Sequence, residues 1–212
     1  MKCVAISDLH NKINELDLPE ADLLLIAGDL TGRGSIPELV AFNKDLFAIK
    51  DRYRLGILAI PGNHDRHAER DFNYTKNELL TNVKYFIHHE SVVIEGIKFF
   101  GSGYSPEFGG WSFSVSRGKD AASKWSQIPD DTDILITHGP PYGLLDEADI
   151  FSGHLGCQDL SDRVLKVKPK AHVFGHIHGG YGIKEFNGTT FINAASLNDN
   201  YKPINPPIEF EI

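Results

Sequence analysis

The chain is short of cysteine, of long apolar runs and of positive charge, and each shortage removes a class of function. Its two cysteines, Cys3 and Cys157, each lie in an apolar stretch without metal-ligand spacing. Two buried free thiols are therefore expected, and a domain of this size needs no disulfide staples. No apolar stretch reaches the ~18 residues of a membrane span, and Met1–Ile6 enters a strand-like run without signal-peptide architecture. A cytoplasmic setting with no membrane partner is the resulting expectation. The 21 Lys and Arg face 29 Asp and Glu, leaving a formal net charge of −8 with the basic residues dispersed. A dedicated duplex nucleic-acid binder would carry a basic face, so that class is disfavoured. A small anionic substrate stays open, because bound cations reverse the local field.

The residues that are present point to an α/β enzyme. The 212 residues, 41% hydrophobic and 24% charged, suit one domain over 1–212. Short apolar runs at Cys3–Ser7, Leu23–Ala27, Ile57–Ile60, Ile134–Thr137 and His172–Phe174 read as buried strands. Ser35-Ile36-Pro37-Glu38 has the form of a helix start, and Leu39, Phe42, Leu46 and Ile49 continue at helical spacing, giving a helix over about 36–50. Weaker helices are expected over Arg117–Gln127 and Gln158–Val167. Glu95-Gly96 and Asn187-Gly188 mark two hairpins. Gly101–Phe113 reads as a long loop that could line a pocket, and Pro203–Pro207 as a lead into a final edge strand. The pattern suggests two stacked sheets covered by helices.

The ten histidines are the informative excess, and they gather where strands stop. Asp8-Leu9-His10, Gly28-Asp29, Gly62-Asn63-His64-Asp65, His138-Gly139 and Gly175-His176-Ile177-His178 each follow one of the five runs, the third after Pro61. The carboxyl edge of such sheets is where ligands bind. Carboxylate, imidazole and amide oxygen without thiolate suit Mn, Fe, Co, Ni or Zn. Spacings of two in Asp8/His10 and His176/His178 put both donors on one side of an extended segment. The glycines before Asp29, Asn63 and His176 should let the backbone turn toward a shared centre.

This ordered set resembles the calcineurin-like metallophosphoesterases, whose blocks are D-x-H, G-D, G-N-H-D/E, H and G-H-x-H. The resemblance spans residues 8–178. Gly28-Asp29-Leu30-Thr31, Thr137-His138-Gly139-Pro140-Pro141 and Asn193-Ala194-Ala195-Ser196 are similar to the small members related to class III cyclic-nucleotide phosphodiesterases. The chain departs from the phosphoprotein phosphatases at Leu30-Thr31-Gly32-Arg33-Gly34, which lacks the aspartate that supports their catalytic histidine. It also carries Gly179 where the small branch commonly has an acidic residue.

The resemblance implies an α/β fold of the four-layer αββα double β-sandwich type. It implies that Asp8, His10 and His178 hold a first divalent metal, that Asp29 bridges, and that Asn63, His138 and His176 complete a second site, with Mn preferred. His64 would be the catalytic residue assisting the leaving oxygen, as a metal-bridging hydroxide attacks a small phosphodiester. A phosphomonoesterase, or a silent scaffold of the same fold, are the alternatives. Substrate contacts are expected from Asn63, His64, Arg66 and His154, with His67 a further candidate. Tyr104 and Trp111 could stack on a base or simply pack. His172 is expected to be structural and His88-His89 an exposed strand end.

Overall fold

Successive side chains of a strand face opposite ways, so a strand apolar on both faces has to be covered twice. The computed structural model describes residues 1–149 and 153–212 and meets that requirement with layers. Its strands are β1 (Lys2–Ile6), β2 (Ala21–Ile26), β3 (Tyr53–Ala59), β4 (Tyr85–Phe86), β5 (Glu90–Ile94), β6 (Ile97–Ser102), β7 (Ser105–Pro106), β8 (Ser114–Val115), β9 (Ile134–Thr137), β10 (Ala171–Phe174), β11 (Gly182–Phe186), β12 (Thr189–Asn193) and β13 (Ile208–Glu211). Its α-helices are α1 (Ile36–Phe47), α2 (Arg66–Arg70), α3 (Phe72–Tyr74), α4 (Lys119–Trp125) and α5 (Gln158–Val167).

One sheet has the order β13-β1-β2-β3-β4 and the other β11-β12-β10-β9-β6-β5. Cys3, Ala5, Leu23 and Leu25 of the first meet Ile134, Ile136, Ala171 and Val173 of the second in a shared core. Val4, Ile6, Leu24 and Ile26 turn outward onto Leu39, Phe42 and Leu46 of α1. Leu135, Phe174 and Phe191 turn onto Trp125, Leu160 and Val164 of α4 and α5. The architecture is thus αββα, as the resemblance implies. Among the described residues, no helix is long and apolar enough to cross a membrane.

Local signals hold well. Ser35 and Glu38 form a reciprocal capping box at the start of α1, with Pro in the first turn. The helix ends at Phe47 rather than near residue 50, and α4 is shorter than its expected span. The Asn187-Gly188 turn has both residues at positive φ (52° and 82°), joining β11 to β12. The terminal strand pairs antiparallel with β1 at the sheet edge. The 101–113 stretch is a correction. Residues Gly101 and Ser102 finish β6, and Ser105–Pro106 pairs in parallel with Ser114–Val115.

Both thiols are buried and free. Burial pushes the Cys3 thiol up to about 12, and Cys157 Sγ accepts a hydrogen bond from the Trp125 indole at 3.3 Å.

Candidate metal centre

The parallel strands deliver their carboxyl ends to one edge, and the ladder continues into the loops beyond it. Asp8 N donates to Gly28 O at 3.1 Å and Leu9 N to Asp29 O at 2.9 Å. The loops after β1 and β2 therefore advance together. Asp8, His10, Asp29 and His176 sit at positive φ (54°, 42°, 50° and 68°). That conformation costs about 1–3 kcal/mol for a residue with a side chain, and it clusters where function requires it. Space, rather than turning, accounts for two of the preceding glycines. A Cβ on Gly62 would lie 2.2 Å from Asp29 Oδ1, and one on Gly175 would lie 2.1 Å from Asp8 Oδ2.

Among the described residues, three groups of side chains bring ligand atoms within 4.8 Å of one another: Asp8–His10–His178, His10–Asp29–His64 and Asp8–Asp29–His138. Asp29 turns its two oxygens to different histidines. Oδ2 lies 3.9 Å from His10 Nε2, and Oδ1 lies 3.4 Å from His138 Nε2. Asn63 Oδ1 is 2.8 Å from His138 Nε2, and the His176 ring lies 4.9 Å from that of His138. Both nitrogens of His10 are buried without a hydrogen-bond partner among the described residues, which a neutral imidazole does not ordinarily tolerate. A cation is the partner that the surrounding carboxylates would favour.

Three other imidazoles, those of His138, His178 and His64, are oriented from behind. The Nδ1 of His138 bonds Ala27 O at 2.9 Å, that of His178 bonds Asn198 O at 3.1 Å, and that of His64 bonds Gly32 O at 2.6 Å. A carbonyl only accepts, so each Nδ1 donates and Nε2 is the end turned toward the carboxylates. That is the outer-shell pattern of metal-ligating histidine. Burial pushes the two ligand candidates down, yet the carboxylates outweigh it. Asp29 raises His138 to about 9, and Asp8 raises His178 to about 9. Burial pushes Asp29 up, but His138 brings it to about 2, and His178 holds Asp8 below the usual carboxylate range. His176, half-buried and beside cationic His138, falls to about 4.

A cavity of about 290 Å³ opens over these groups, lined by His10, Asp29, Asn63, His64, His176 and His178 with Phe108, Trp111, Asp199 and Tyr201. The His64 ring stacks on Trp111 at 4.2 Å between centroids, and the Arg66 guanidinium lies 4.6 Å from the same indole. Trp111 therefore packs, and no sequence pattern marks His64 as its partner. Its loop is tied to the same segment, since Ser112 N donates to Asn63 O and Phe113 N to Glu69. Asp65 also carries more than its place in the motif suggests. Its buried carboxylate accepts from Gly62 N, Leu30 N, Thr31 N and Thr31 Oγ1 at 2.8–3.1 Å, locking two ligand loops together. Burial and the nearby Asp29 charge raise it to about 6.

Other sequence candidates fall elsewhere. His154 binds Asp146 at 2.8 Å and lines a different cavity with Glu147 and Lys184, so the structure does not bring it to the metal cavity. His67 Nδ1 is engaged by Thr75 Oγ1. Tyr104 packs against His88, His89 and Trp125. His88 and His89 are not an exposed strand end. They are half-buried among aromatic rings, and His88 accepts from Gly103 N at 3.1 Å.

His172 is structural, as expected. It is fully buried, its Nε2 lies 2.8 Å from Thr137 Oγ1, and burial pushes it down to about 3. Above its ordinary value of 6.5 it is neutral whether the chain is folded or unfolded, and contributes nothing to pH dependence. Between 6.5 and about 3 the unfolded chain takes up a proton that the folded one refuses. Stability should then fall toward acid by up to ~1.4 kcal/mol per pH unit from this group. Denaturant melts of His172→Leu should show a flatter acid limb than the unmodified chain; parallel limbs would contradict the assignment.

A double sandwich whose strand ends collect carboxylates and imidazoles over one cavity defines a metal-dependent phosphoester hydrolase. The calcineurin-like phosphoesterase family model matches residues 1–180, and the chain belongs to that family. It is 36% identical over 232 residues to human metallophosphoesterase domain-containing protein 1, covering 99% of this chain and 70% of that protein. It is also 36% identical over 225 residues to UPF0046 protein K07C11.7 of Caenorhabditis elegans, covering 100% of this chain and 75% of that one. Phosphopantetheinyl hydrolase from Mycobacterium tuberculosis shares the fold, with a TM-score of 0.64 at 17% identity over 99% of this chain and 95% of that one.

Proposed function

We propose that the chain, as one domain over 1–212, is a dinuclear-metal-dependent phosphodiesterase acting on small phosphodiesters, nucleotide-like ones among them. The observation that carries this reading is the division of Asp29, whose two oxygens face two separate sets of histidines. Asp8, His10 and His178 would hold one ion, Asn63, His138 and His176 the other, and Asp29 both. Two divalent transition-metal ions, Mn preferred over Fe, Zn, Co or Ni, would supply an acidified water as nucleophile and neutralise charge at the phosphoryl oxygens.

The protein's own groups would do the rest. Nδ1 of His64 is committed to Gly32 O, so Nε2 is the end that hands a proton to the leaving oxygen. The Trp111 face keeps that ring from rotating away. The side-chain amide of Asn63 would orient a phosphoryl oxygen. The cavity lining has Asp199 and, among the described residues, neither Lys nor Arg. That balance suits the single negative charge of a diester better than the nearly double charge of a monoester. Buried free thiols suit a reducing, cytoplasmic setting.

The test is turnover of p-nitrophenyl diesters and of p-nitrophenyl phosphate by the Mn²⁺-loaded protein. Faster turnover of diesters supports the reading, and faster turnover of the monoester overturns the diester preference. Two bound ions with no turnover of either would leave a scaffold. Metal uptake has its own signature. His138 and His178 are raised to about 9 in the metal-free chain, so near neutral pH both protons must leave before their nitrogens can bind. Loading should release about two protons per chain, and affinity should rise with pH up to about 9. Calorimetric titrations in buffers of different ionisation enthalpy measure this directly. Release of none would contradict the ligand assignment.

A further inference from the structure

Beside the metal cavity lies a second cleft of about 290 Å³, walled by Pro106, Phe108, Leu155 and Ile177 together with Glu107 and Arg117. His176 and Phe108 line both spaces, so the cleft begins at a metal-ligand candidate. Its charged residues are already engaged. Arg117 donates to the carbonyls of Leu155 and Gly156 at 2.6 Å, and Glu107 accepts from Ser116 Oγ at 3.2 Å. The surface left for a ligand is apolar, and Phe108 is 72% exposed and Leu155 38% exposed. Exposed apolar side chains gathered in a concavity mark a binding surface. Trp111 does not line this cleft, and its indole carries the His64 ring and the Arg66 guanidinium.

We propose that this cleft binds the ester group that stays on phosphorus, and that this group is an uncharged apolar one, aryl or alkyl. The inference rests on the proposed phosphodiesterase reading. A diester has two arms. The departing arm must bring its oxygen to His64, which lines the metal cavity and is absent from the cleft lining. An arm lying against Phe108 and Ile177 stays next to His176, within reach of the same phosphorus centre, and away from His64. The retained arm is therefore the one the cleft can hold. The reaction is unchanged by this assignment: water adds to phosphorus, the departing alkoxide takes a proton, and the retained arm leaves as a monoester.

The experiment holds the departing group constant. The Mn²⁺-loaded protein is assayed with p-nitrophenyl diesters whose second arm is methyl, phenyl or a thymidine 5′-ester. The phenyl arm should exceed the methyl arm in kcat/KM by about tenfold or more, which is the discrimination an apolar pocket supplies, and should also exceed the nucleoside arm. Phe108→Ala and, separately, Leu155→Ser should pull the phenyl-to-methyl ratio toward one. A ratio is independent of the fraction of folded protein, so a partly unstable variant still reads out. A ratio near one in the unmodified protein, or an unchanged ratio in both variants, would overturn the assignment. Binding of unreacting methyl phenyl phosphate against dimethyl phosphate reads the cleft without turnover. Absent turnover of all diesters would count against the phosphodiesterase reading, while equal affinity for these two ligands would count against the cleft.

Discussion

Asp29→Asn is expected to lower turnover by at least about 10³-fold and to lower bound metal below two ions per chain. The loss comes from the position of one side chain. Asp29 is buried, its Oδ2 is aimed at His10 and its Oδ1 at His138, and Oδ1 also accepts from His64 N at 2.8 Å. The substitution removes the negative charge and replaces one acceptor oxygen with a donor NH₂. One cation would then face an amide hydrogen, and two cations would lose the charge that offsets their repulsion. Several kcal/mol of transition-state stabilisation depend on such a pair, and each ~1.36 kcal/mol is a factor of ten. Metal analysis beside steady-state kinetics checks the result. A fully loaded, fully active variant would rule out the bridging role.

His64→Ala should separate the two quantities that Asp29→Asn moves together. Turnover is expected to fall by ~10²–10⁴-fold, the usual worth of a general acid, while metal content stays near that of the unmodified protein. The reason is again geometric. His64 has its Nδ1 on Gly32 O and its ring face on Trp111, with Nε2 at 3.9 Å from Asp29 Oδ2. It touches the cavity without completing either proposed ligand set. The loss should be larger for an alkyl leaving group than for p-nitrophenolate, which departs without a proton. Equal loss of metal and turnover would assign His64 to the metal centre instead.

Much of this is legible in the amino-acid order because the chemistry sits at strand ends. The apolar runs fix where β1, β2, β9 and β10 lie, and the residues just past each run are necessarily delivered to the sheet edge. The Ser35/Glu38 cap and the Asn187-Gly188 turn are equally readable, since each is a contact within a few residues. The features that sequence does not reveal depend on partners far along the chain. Trp111 meets His64 through the fold, with no shared motif to announce the pair. His88 and His89 carry no mark of the aromatic shell supplied by Tyr104, Phe100 and Phe113. Gly62 and Gly175 look like turn formers, and only the packed site shows that Asp29 and Asp8 need their missing Cβ atoms. The cleft beside His176 is assembled from Pro106, Leu155 and Ile177, which share no local pattern.

The most direct measurement of the central claim is anomalous diffraction from crystals of the protein grown with Mn²⁺. Two peaks are predicted, one enclosed by Asp8, His10 and His178 and the other by Asn63, His138 and His176, with Asp29 touching both. A single peak, or manganese bound away from Asp29, would contradict it.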